Sequence, residues 1–352
     1  MDGTISVMDA GFVLDSTFQL SFAEQRDIVR QAAHLGYTSA WALGGVTSRD
    51  AFHTCVQWSL AGGPGFATGT SVVVAPHWTP VTLAVQAATT AELVSGPFVL
   101  GIGSGAVHQA STRAAFDLPD RPVVSLMRDY LTIVRGLLAG ESVDYAGRTT
   151  SLRGVQLGFQ PPSVPIYVGA LGPQMLSLAG ELADGVIPSW SSPEQVAWAR
   201  SHVAAAAARA GRAPDAVKWV GFVRVCLDED AEAARRTFAG SLLRYGLARP
   251  GGPRTEGYRG QFGRMGFDEV LTELEDRRDR GATMAELIDA LPVDLMRRVG
   301  YFGRPEGVAA EFARLAAGLD TPVVRMITTA PGPAKVLLAL EACCDIVAAS
   351  AR

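Results

Sequence analysis

The sequence predicts an α/β protein, a parallel (β/α)₈ TIM barrel with a hairpin excursion and a helical insertion between its seventh and eighth strands. Short apolar or β-branched runs alternate with helical patterns along the 352 residues, which favours a barrel built from repeated strand–helix units. Two strands end in glycine-rich turns, as expected where a barrel binds its ligand. A doubly wound open sheet is the alternative fold. We expect a single domain over residues 1–352, with the insertion at 245–321.

The first half of the chain supplies four strand–helix units. Strands are predicted at 5–8, 39–43, 68–74 and 98–105, and helices at 22–35, 50–60, 79–93 and 122–138. Ser21 and Glu24 form the pattern of a capping box at the first helix, and Gly36 is placed to end it. Thr79 is placed to cap the third helix.

The second half resumes the alternation after an interruption. Residues 145–148 and 152–159 are typical of a hairpin that does not belong to the alternation of strands and helices. Strands are then predicted at 166–168, 185–188, 217–227 and 322–327, and helices at 193–210, 229–243 and 334–348.

About seventy-five residues separate the seventh helix from the eighth strand, too many for a simple connection. Residues 249–254 (RPGGPR) are predicted to be irregular and mobile, and 267–280 to form a charged amphipathic helix. This insertion is interpreted as a lid over the barrel mouth or, alternatively, as a dimer contact. Arginines recur at 244, 249, 254, 259 and 264. A spacing of five does not keep to one helical face, so solvated charge is expected.

Composition limits the function classes. Hydrophobic residues make up 48% of the chain and the net charge is −4, which favours a large buried core and disfavours nucleic-acid binding. The cysteines, at 55, 226, 343 and 344, show no spacing typical of a metal site or a disulfide framework. No export signal or membrane span is apparent. We expect a cytoplasmic protein without a metal that acts on a small molecule; a homodimer stays open.

Two segments carry the strongest functional signal. Residues 98–105 (FVLGIGSG) form an apolar run that ends in alternating glycines, which let a backbone approach a ligand closely. Residues 165–174 (PIYVGALGPQ) lead from a strand into a Gly-Pro helix start. The unpaired N–H groups of a helix start suit a phosphate.

Together with 69–72 (GTSV), 80–93 (PVTLAVQAATTAEL) and 165–187, the first of these segments resembles the luciferase-like superfamily. The resemblance is greatest to its coenzyme F420-dependent branch of methylenetetrahydromethanopterin reductase-like oxidoreductases. It extends over most of residues 1–230 and is weak through the insertion. It implies a barrel that binds F420, or alternatively FMN, with the ring system across the mouth. It also implies a non-prolyl cis peptide at Ser71–Val72 or one position later.

The same resemblance implies the cofactor contacts. Residues of the third strand would brace the ring, those after the fourth strand would lie near it, and those after the fifth would cradle its phosphate. These residues are Ser71, Val72 and Val73; Gly103, Ser104 and Gly105; and Gly169, Ala170, Leu171 and Gly172. Arg113 and Arg121 are candidates to hold the acidic tail of F420.

The sequence departs from the branch at its expected proton carriers. Leu43-Gly44-Gly45 stands where many members have an Asp-His pair, and Ala106 where a glutamate is common. Dehydrogenation of a sugar phosphate or a secondary alcohol is therefore not assigned. His77 and His108 follow the third and fourth strands and become the candidates for proton transfer.

Three tryptophans at strand ends are candidate substrate-pocket residues: Trp41, Trp78 and Trp190. For Trp41, core packing is the alternative.

We therefore expect F420-dependent hydride transfer to or from a small organic substrate. An FMN-dependent two-component monooxygenase and a cofactor-free barrel are the alternatives.

Overall fold

The computed structural model describes residues 10–350, with side chains through Cys344. This part of the chain contains eleven strands: β1 (Gly11–Val13), β2 (Ser39–Gly44), β3 (Ala67–Val74), β4 (Phe98–Gly103), β5 (Val143–Ala146), β6 (Ser151–Val155), β7 (Ile166–Val168), β8 (Gly185–Val186), β9 (Lys218–Leu227), β10 (Gly300–Gly303) and β11 (Thr321–Met326).

Fourteen α-helices lie in the same residues: α1 (Phe22–His34), α2 (Ala51–Gly62), α3 (Pro80–Leu93), α4 (Ala110–Ala115), α5 (Val123–Leu138), α6 (Pro173–Leu182), α7 (Pro193–Arg209), α8 (Ala231–Gly246), α9 (Gly257–Phe262), α10 (Asp268–Asp279), α11 (Met284–Ala290), α12 (Val293–Val299), α13 (Val308–Leu315) and α14 (Pro333–Ser350). None of the described helices has the length and apolar character needed to cross a membrane.

Eight parallel strands close into a barrel in the order β9–β11–β1–β2–β3–β4–β7–β8, and β8 pairs with β9 to complete the ring. The predicted barrel is confirmed, and the open doubly wound sheet is excluded by this closure. β10 is an additional strand: it pairs with β9 from Gly300↔Arg224 to Gly303↔Leu227, beyond the point where β8 pairs at Lys218 and Trp219. The hairpin of β5 and β6 lies outside the barrel.

The predicted strand at 5–8 lies outside the described residues. The first barrel strand that the structure shows is Gly11–Val13, which sequence reasoning missed because three residues are too few for a period to emerge. The capping box predicted at Ser21 and Glu24 is confirmed. The Ser21 hydroxyl accepts a hydrogen bond from the Glu24 amide, and the Glu24 carboxylate accepts one from the Ser21 amide.

The barrel interior is filled by apolar side chains below its mouth, including Val13, Trp41, Val99, Tyr167 and Val323. The Trp41 ring is fully buried, stacks on Tyr167 with centroids 6.4 Å apart, and donates through Nε1 to the Ser39 hydroxyl. Trp41 is therefore a core residue, and its prediction as a substrate-pocket residue is not supported. A filled interior leaves the mouth as the place where a ligand can bind.

The insertion has a hydrophobic core of its own, which α8 shares with α9 to α12. Arg259 and Glu275 lie at its centre, almost fully buried, with Nε and Oε1 2.7 Å apart. The expectation that the recurring arginines are solvated is therefore wrong for Arg259. The predicted helix at 267–280 is confirmed as α10, whereas α9, the short helices α11 to α13, and β10 were not predicted.

Candidate active site

A cavity of about 690 Å³ opens at the carboxyl ends of β1, β2, β9 and β11. Leu14 and Asp15 follow β1, Leu43 is the penultimate residue of β2, Arg224 lies on β9 and Arg325 on β11. A volume of this size accommodates a small organic molecule. The wall combines apolar surface with a few charged groups, which is typical of a site that binds and orients a substrate.

Four glycines and a partly exposed valine lie at or just beyond the ends of β3, β4 and β7, in the other half of the barrel mouth. We call Gly103, Gly105, Gly169 and Gly172, together with Val72, the glycine shelf. The Ser71–Val72 peptide is cis, as the resemblance implies. A Cβ on Gly103 would lie 2.6 Å from Cγ2 of Val72, and one on Gly169 would lie 3.6 Å from both Val72 methyl groups. The three strand ends therefore meet around one partly exposed valine.

The predicted ring-bracing residues differ in exposure. The side chains of Ser71 and Val73 are buried, and the Ser71 hydroxyl donates to the carbonyl of Ala42. Only Val72 of the three leaves part of its side chain exposed at the mouth. Ser104 is partly exposed, with its hydroxyl 3.3 Å from the carbonyl of Gly105.

The predicted phosphate cradle lies where β7 leads into α6. The amide of Gly169 donates to the carbonyl of Ile102, so it is already used in the barrel. Ala170 is buried, whereas Gly172 is the N-cap of α6 and a Cβ there would meet no atom within 4 Å. Open space therefore borders the helix start. The Arg264 guanidinium, from the insertion, donates to the Leu171 carbonyl at 3.0 Å and brings a positive charge next to this space.

The two candidate histidines stand outside the wall of the large cavity. His77 packs edge-on against Phe116, with ring centroids 4.9 Å apart. His108 lies against the start of α9, since a Cβ on Gly257 would be 3.7 Å from its Nε2. Burial lowers the pKa of both rings, and at His108 the nearby Glu256 opposes this effect.

Trp78 and Trp190 differ in position. Trp78 packs edge-on against Phe52, and its carbonyl accepts a hydrogen bond from Tyr130. It is not part of the wall of the large cavity. Trp190 does line that cavity, fully buried, and adopts φ +53°, a conformation rare for a bulky side chain. Of the three predicted tryptophans, Trp190 alone lines the cavity.

Sequence reasoning missed the charged residues of the cavity wall. Asp15 forms an ion pair with Arg325. Arg224, which is almost fully buried, donates from Nη2 to the Ser189 hydroxyl at 2.8 Å, and its Cζ lies 3.9 Å from the centre of the Trp190 ring. Burial lowers the pKa of Arg224. A single arginine within each of two apolar strands was the available signal.

The insertion covers part of the mouth. The Gln261 side chain donates to the carbonyls of Ser189 and Trp190, at 2.8 and 2.6 Å, and Tyr258 Oη lies 3.3 Å from the Ser189 hydroxyl. Arg249 donates to the Ser111 hydroxyl at 2.6 Å. These contacts join the insertion to the segments that follow β4 and β8.

Comparisons with a family model and with individual known proteins agree with one another. A family model described as luciferase-like monooxygenase matches residues 3–321. The 5,10-methylenetetrahydromethanopterin reductase of Archaeoglobus fulgidus is 30% identical over 224 residues, which are 64% of this chain and 66% of that relative. The chain therefore spans slightly less than two thirds of the relative's length.

Two solved structures have the same fold. The coenzyme F420-dependent tetrahydromethanopterin reductase of Methanopyrus kandleri superposes with a TM-score of 0.76 at 19% identity, over 96% of this chain and 97% of the other. An F420-dependent secondary alcohol dehydrogenase in complex with an F420-acetone adduct gives 0.75 at 16% identity, over 98% and 99%. At these identities the likeness establishes the architecture, and the chemistry must be argued from the residues of the site.

Proposed function

This chain belongs to the luciferase-like monooxygenase family, and we propose that it is an oxidoreductase that uses coenzyme F420 to transfer a hydride to or from a small organic substrate. The glycine shelf carries this proposal. A flat ring system needs a surface with few side chains, and the shelf brings four glycines together in the half of the mouth opposite the arginines of the cavity of about 690 Å³. A relative named as an F420-dependent glucose-6-phosphate dehydrogenase, from Microbacterium testaceum and 35% identical over 130 residues, supports the choice of F420.

The residues of the shelf fit such a cofactor. Gly103 leaves the Val72 side chain uncovered, since a Cβ at this position would collide with it. Val72 is thus the surface against which a ring would rest. The open N-terminus of α6 beyond Gly172 would hold the phosphate, with Arg264 alongside. When bound, F420 supplies or accepts the hydride.

The chain's own residues orient the substrate and limit the access of water. Leu43 and Trp190 line the cavity in which the substrate would bind. Tyr258 and Gln261 of the insertion cover Ser189 and Trp190. We infer that the insertion acts as a lid, because a site with restricted water access favours hydride transfer over side reactions.

Proton transfer is assigned to the segments after β3 and β4. His108 is the first candidate because it lies between the glycines of the shelf and the insertion, and its carbonyl is held by the Arg113 guanidinium at 3.0 Å. His77 is the second. Burial favours the neutral form of each imidazole, which can accept a proton at neutral pH.

An FMN-dependent monooxygenase is the second candidate function, since the matching family is described by that activity and FMN also carries a phosphate. The two cofactors differ in the acidic tail of F420. Arg113 is committed within its own segment to the Val107 and His108 carbonyls and to Asp120. Arg121 is therefore the better candidate of the two to bind the tail.

Titration of the protein with F420 and with FMN, followed by fluorescence quenching, tests the assignment. F420 is expected to bind at least about tenfold more tightly, a difference of about 1.4 kcal/mol. Tighter binding of FMN would establish the monooxygenase alternative, and binding of neither would indicate a barrel without a cofactor.

Turnover of His108→Ala and His77→Ala then tests the assignment of proton transfer to these histidines. Loss of a general acid or base should lower turnover about 10²–10⁴-fold while F420 affinity stays unchanged. His34→Ala, on the outer helix α1, is the control. Full activity in both single variants and in the double variant would exclude these histidines.

A further inference from the structure

Two arginines lie side by side in the cavity wall. Arg224 and Arg325 are register partners on the parallel strands β9 and β11. Partner residues on neighbouring strands point to the same face of a sheet, so both side chains reach the mouth at one edge of the cavity. The charge of Arg325 contributes to the lowered pKa of Arg224, as expected for like charges in proximity.

The positive charge of this wall exceeds its negative charge. Among the residues that the structure describes, four arginines line the cavity, at positions 49, 224, 244 and 325, and Asp15 is the acidic residue in its lining. Asp15 is paired with Arg325. Within residues 10–344, no carboxylate forms an ion pair with Arg224. A buried guanidinium without a counterion is unfavourable unless something else supplies the negative charge.

Three buried donors in the same wall lack an acceptor among the described residues: Nη1 of Arg224, Nη1 of Arg325 and Nε1 of Trp190. Buried donors are nearly always satisfied in native proteins, so three neighbouring exceptions need an explanation. A ligand oxyanion in the cavity would supply an acceptor to the guanidinium groups. The planar guanidinium group matches the oxygens of a carboxylate or a phosphate.

We propose that the substrate carries an anionic group, a carboxylate or a phosphate, and that Arg224 and Arg325 bind it. This inference rests on the proposed function, in which the cavity is the substrate site. In the order of the barrel strands, β9 lies opposite β3 and β11 lies opposite β4. The arginines therefore face the glycine shelf across the mouth. An anion held by them leaves the rest of the substrate directed toward the shelf, which fixes its orientation for hydride transfer.

Thermal unfolding of the cofactor-free chain with malonate or inorganic phosphate, against chloride at equal ionic strength, tests the site. Either anion should raise the Tm of the wild type beyond the effect of chloride, because a ligand that binds only the folded state stabilises it. Arg224→Met should weaken the anion's affinity at least about tenfold, since a hydrogen bond to a charged group is lost. Its unliganded Tm should not fall below that of the wild type, because an unpaired buried charge has been removed.

The control is Arg209→Met, at the exposed end of α7, which should respond to both anions as the wild type does. Should Arg224→Met fail to fold, Arg224→Lys keeps the charge without the planar pair of donors and should retain only part of the affinity. The proposal is overturned if neither anion stabilises the wild type beyond chloride.

A parallel titration with F420 separates the possible sources of the anion. An unchanged F420 affinity in Arg224→Met assigns the arginines to the substrate. A loss equal to the loss for malonate or phosphate assigns them to the acidic portion of the cofactor and overturns the proposal. If the wild type binds malonate or phosphate but not F420, the cofactor assignment fails and the anion site stands.

Discussion

At the scale of single residues, the site depends on where side chains are absent. Gly103 and Gly169 flank Val72, and a Cβ on Gly103 would lie 2.6 Å from the Val72 methyl group Cγ2. The sequence revealed these positions because a glycine at a strand end has few structural explanations besides a tight turn or a close backbone approach. Arg224 and Arg325 were not foreseen. Their proposed role depends on the β9–β11 register, which places them side by side, and on the absence of a carboxylate partner for Arg224 within residues 10–344. Neither feature can be seen in the sequence of a single strand.

Replacement of Gly172 by leucine should lower cofactor affinity at least about tenfold while the protein stays folded. The backbone there has φ −100° and a Cβ would meet no atom within 4 Å, so a side chain is tolerated but would fill the space bordering the helix start. Fluorescence quenching measures the affinity. Gly158→Leu, which also adds a side chain in open space, is the control. Unchanged affinity in folded Gly172→Leu would refute the phosphate site.

At the scale of elements, the barrel strands and the helices between them were largely predictable, but the insertion was not. Because strands and helices alternate along the chain, the barrel can be recognised even when each predicted boundary is wrong by one or two residues. Within the insertion, α10 showed a charged amphipathic pattern. In contrast, α11 to α13 are seven or eight residues long, and β10 is only four. Elements this short are stabilised by tertiary packing, which local sequence does not reveal.

The buried pair Arg259–Glu275 should determine whether the insertion stays ordered. Glu275 also accepts a hydrogen bond from the Ala248 amide at 2.7 Å and pairs with Arg254. Glu275→Ala leaves the buried Arg259 with the exposed Asp268 as its counterion, so it should lower the free energy of unfolding by about 3 kcal/mol, the lower end of the range for a broken buried pair. Denaturant unfolding measures the loss. The matched control, Glu273→Ala, removes an exposed pair with Arg277 on the same helix and should cost less than about 0.5 kcal/mol. Equal losses would contradict this role.

At the scale of the whole molecule, closure of the barrel places two different sets of residues on opposite sides of its mouth. The ring of strands sets β9 and β11, with their arginines, opposite β3 and β4, with the glycine shelf. The sequence predicted the closed barrel but not this division. The insertion also contacts one side of the mouth, where Tyr258 and Gln261 bind Ser189 and Trp190, about seventy residues earlier in the chain, and contacts between residues so far apart cannot be seen in local sequence.

The stability of the whole fold should depend on Asp228 in acid. Its carboxylate follows β9 and accepts hydrogen bonds from Lys335 of α14, at 2.6 Å, and from Thr329 after β11. Its amide donates to Gly303, at the end of β10. This residue therefore links the ends of three strands to the last helix. The Lys335 hydrogen bond, followed by that of Thr329, lowers the pKa of Asp228 to about 2.

Because the folded-state pKa lies below the unfolded value, this carboxylate stabilises the fold fully above about pH 4, and its contribution is lost as pH falls toward 2. Asp228→Asn should therefore lower the free energy of unfolding by about 1–2 kcal/mol at pH 7. The difference from the wild type should shrink between about pH 4 and pH 2, because the wild-type carboxylate itself becomes protonated there. Urea unfolding of both proteins across this range measures it. The control is Asp215→Asn, at an exposed position before β9, which should change the free energy of unfolding little at any pH. If the difference between Asp228→Asn and the wild type does not depend on pH, the hydrogen bonds of Asp228, rather than its charge, stabilise this junction.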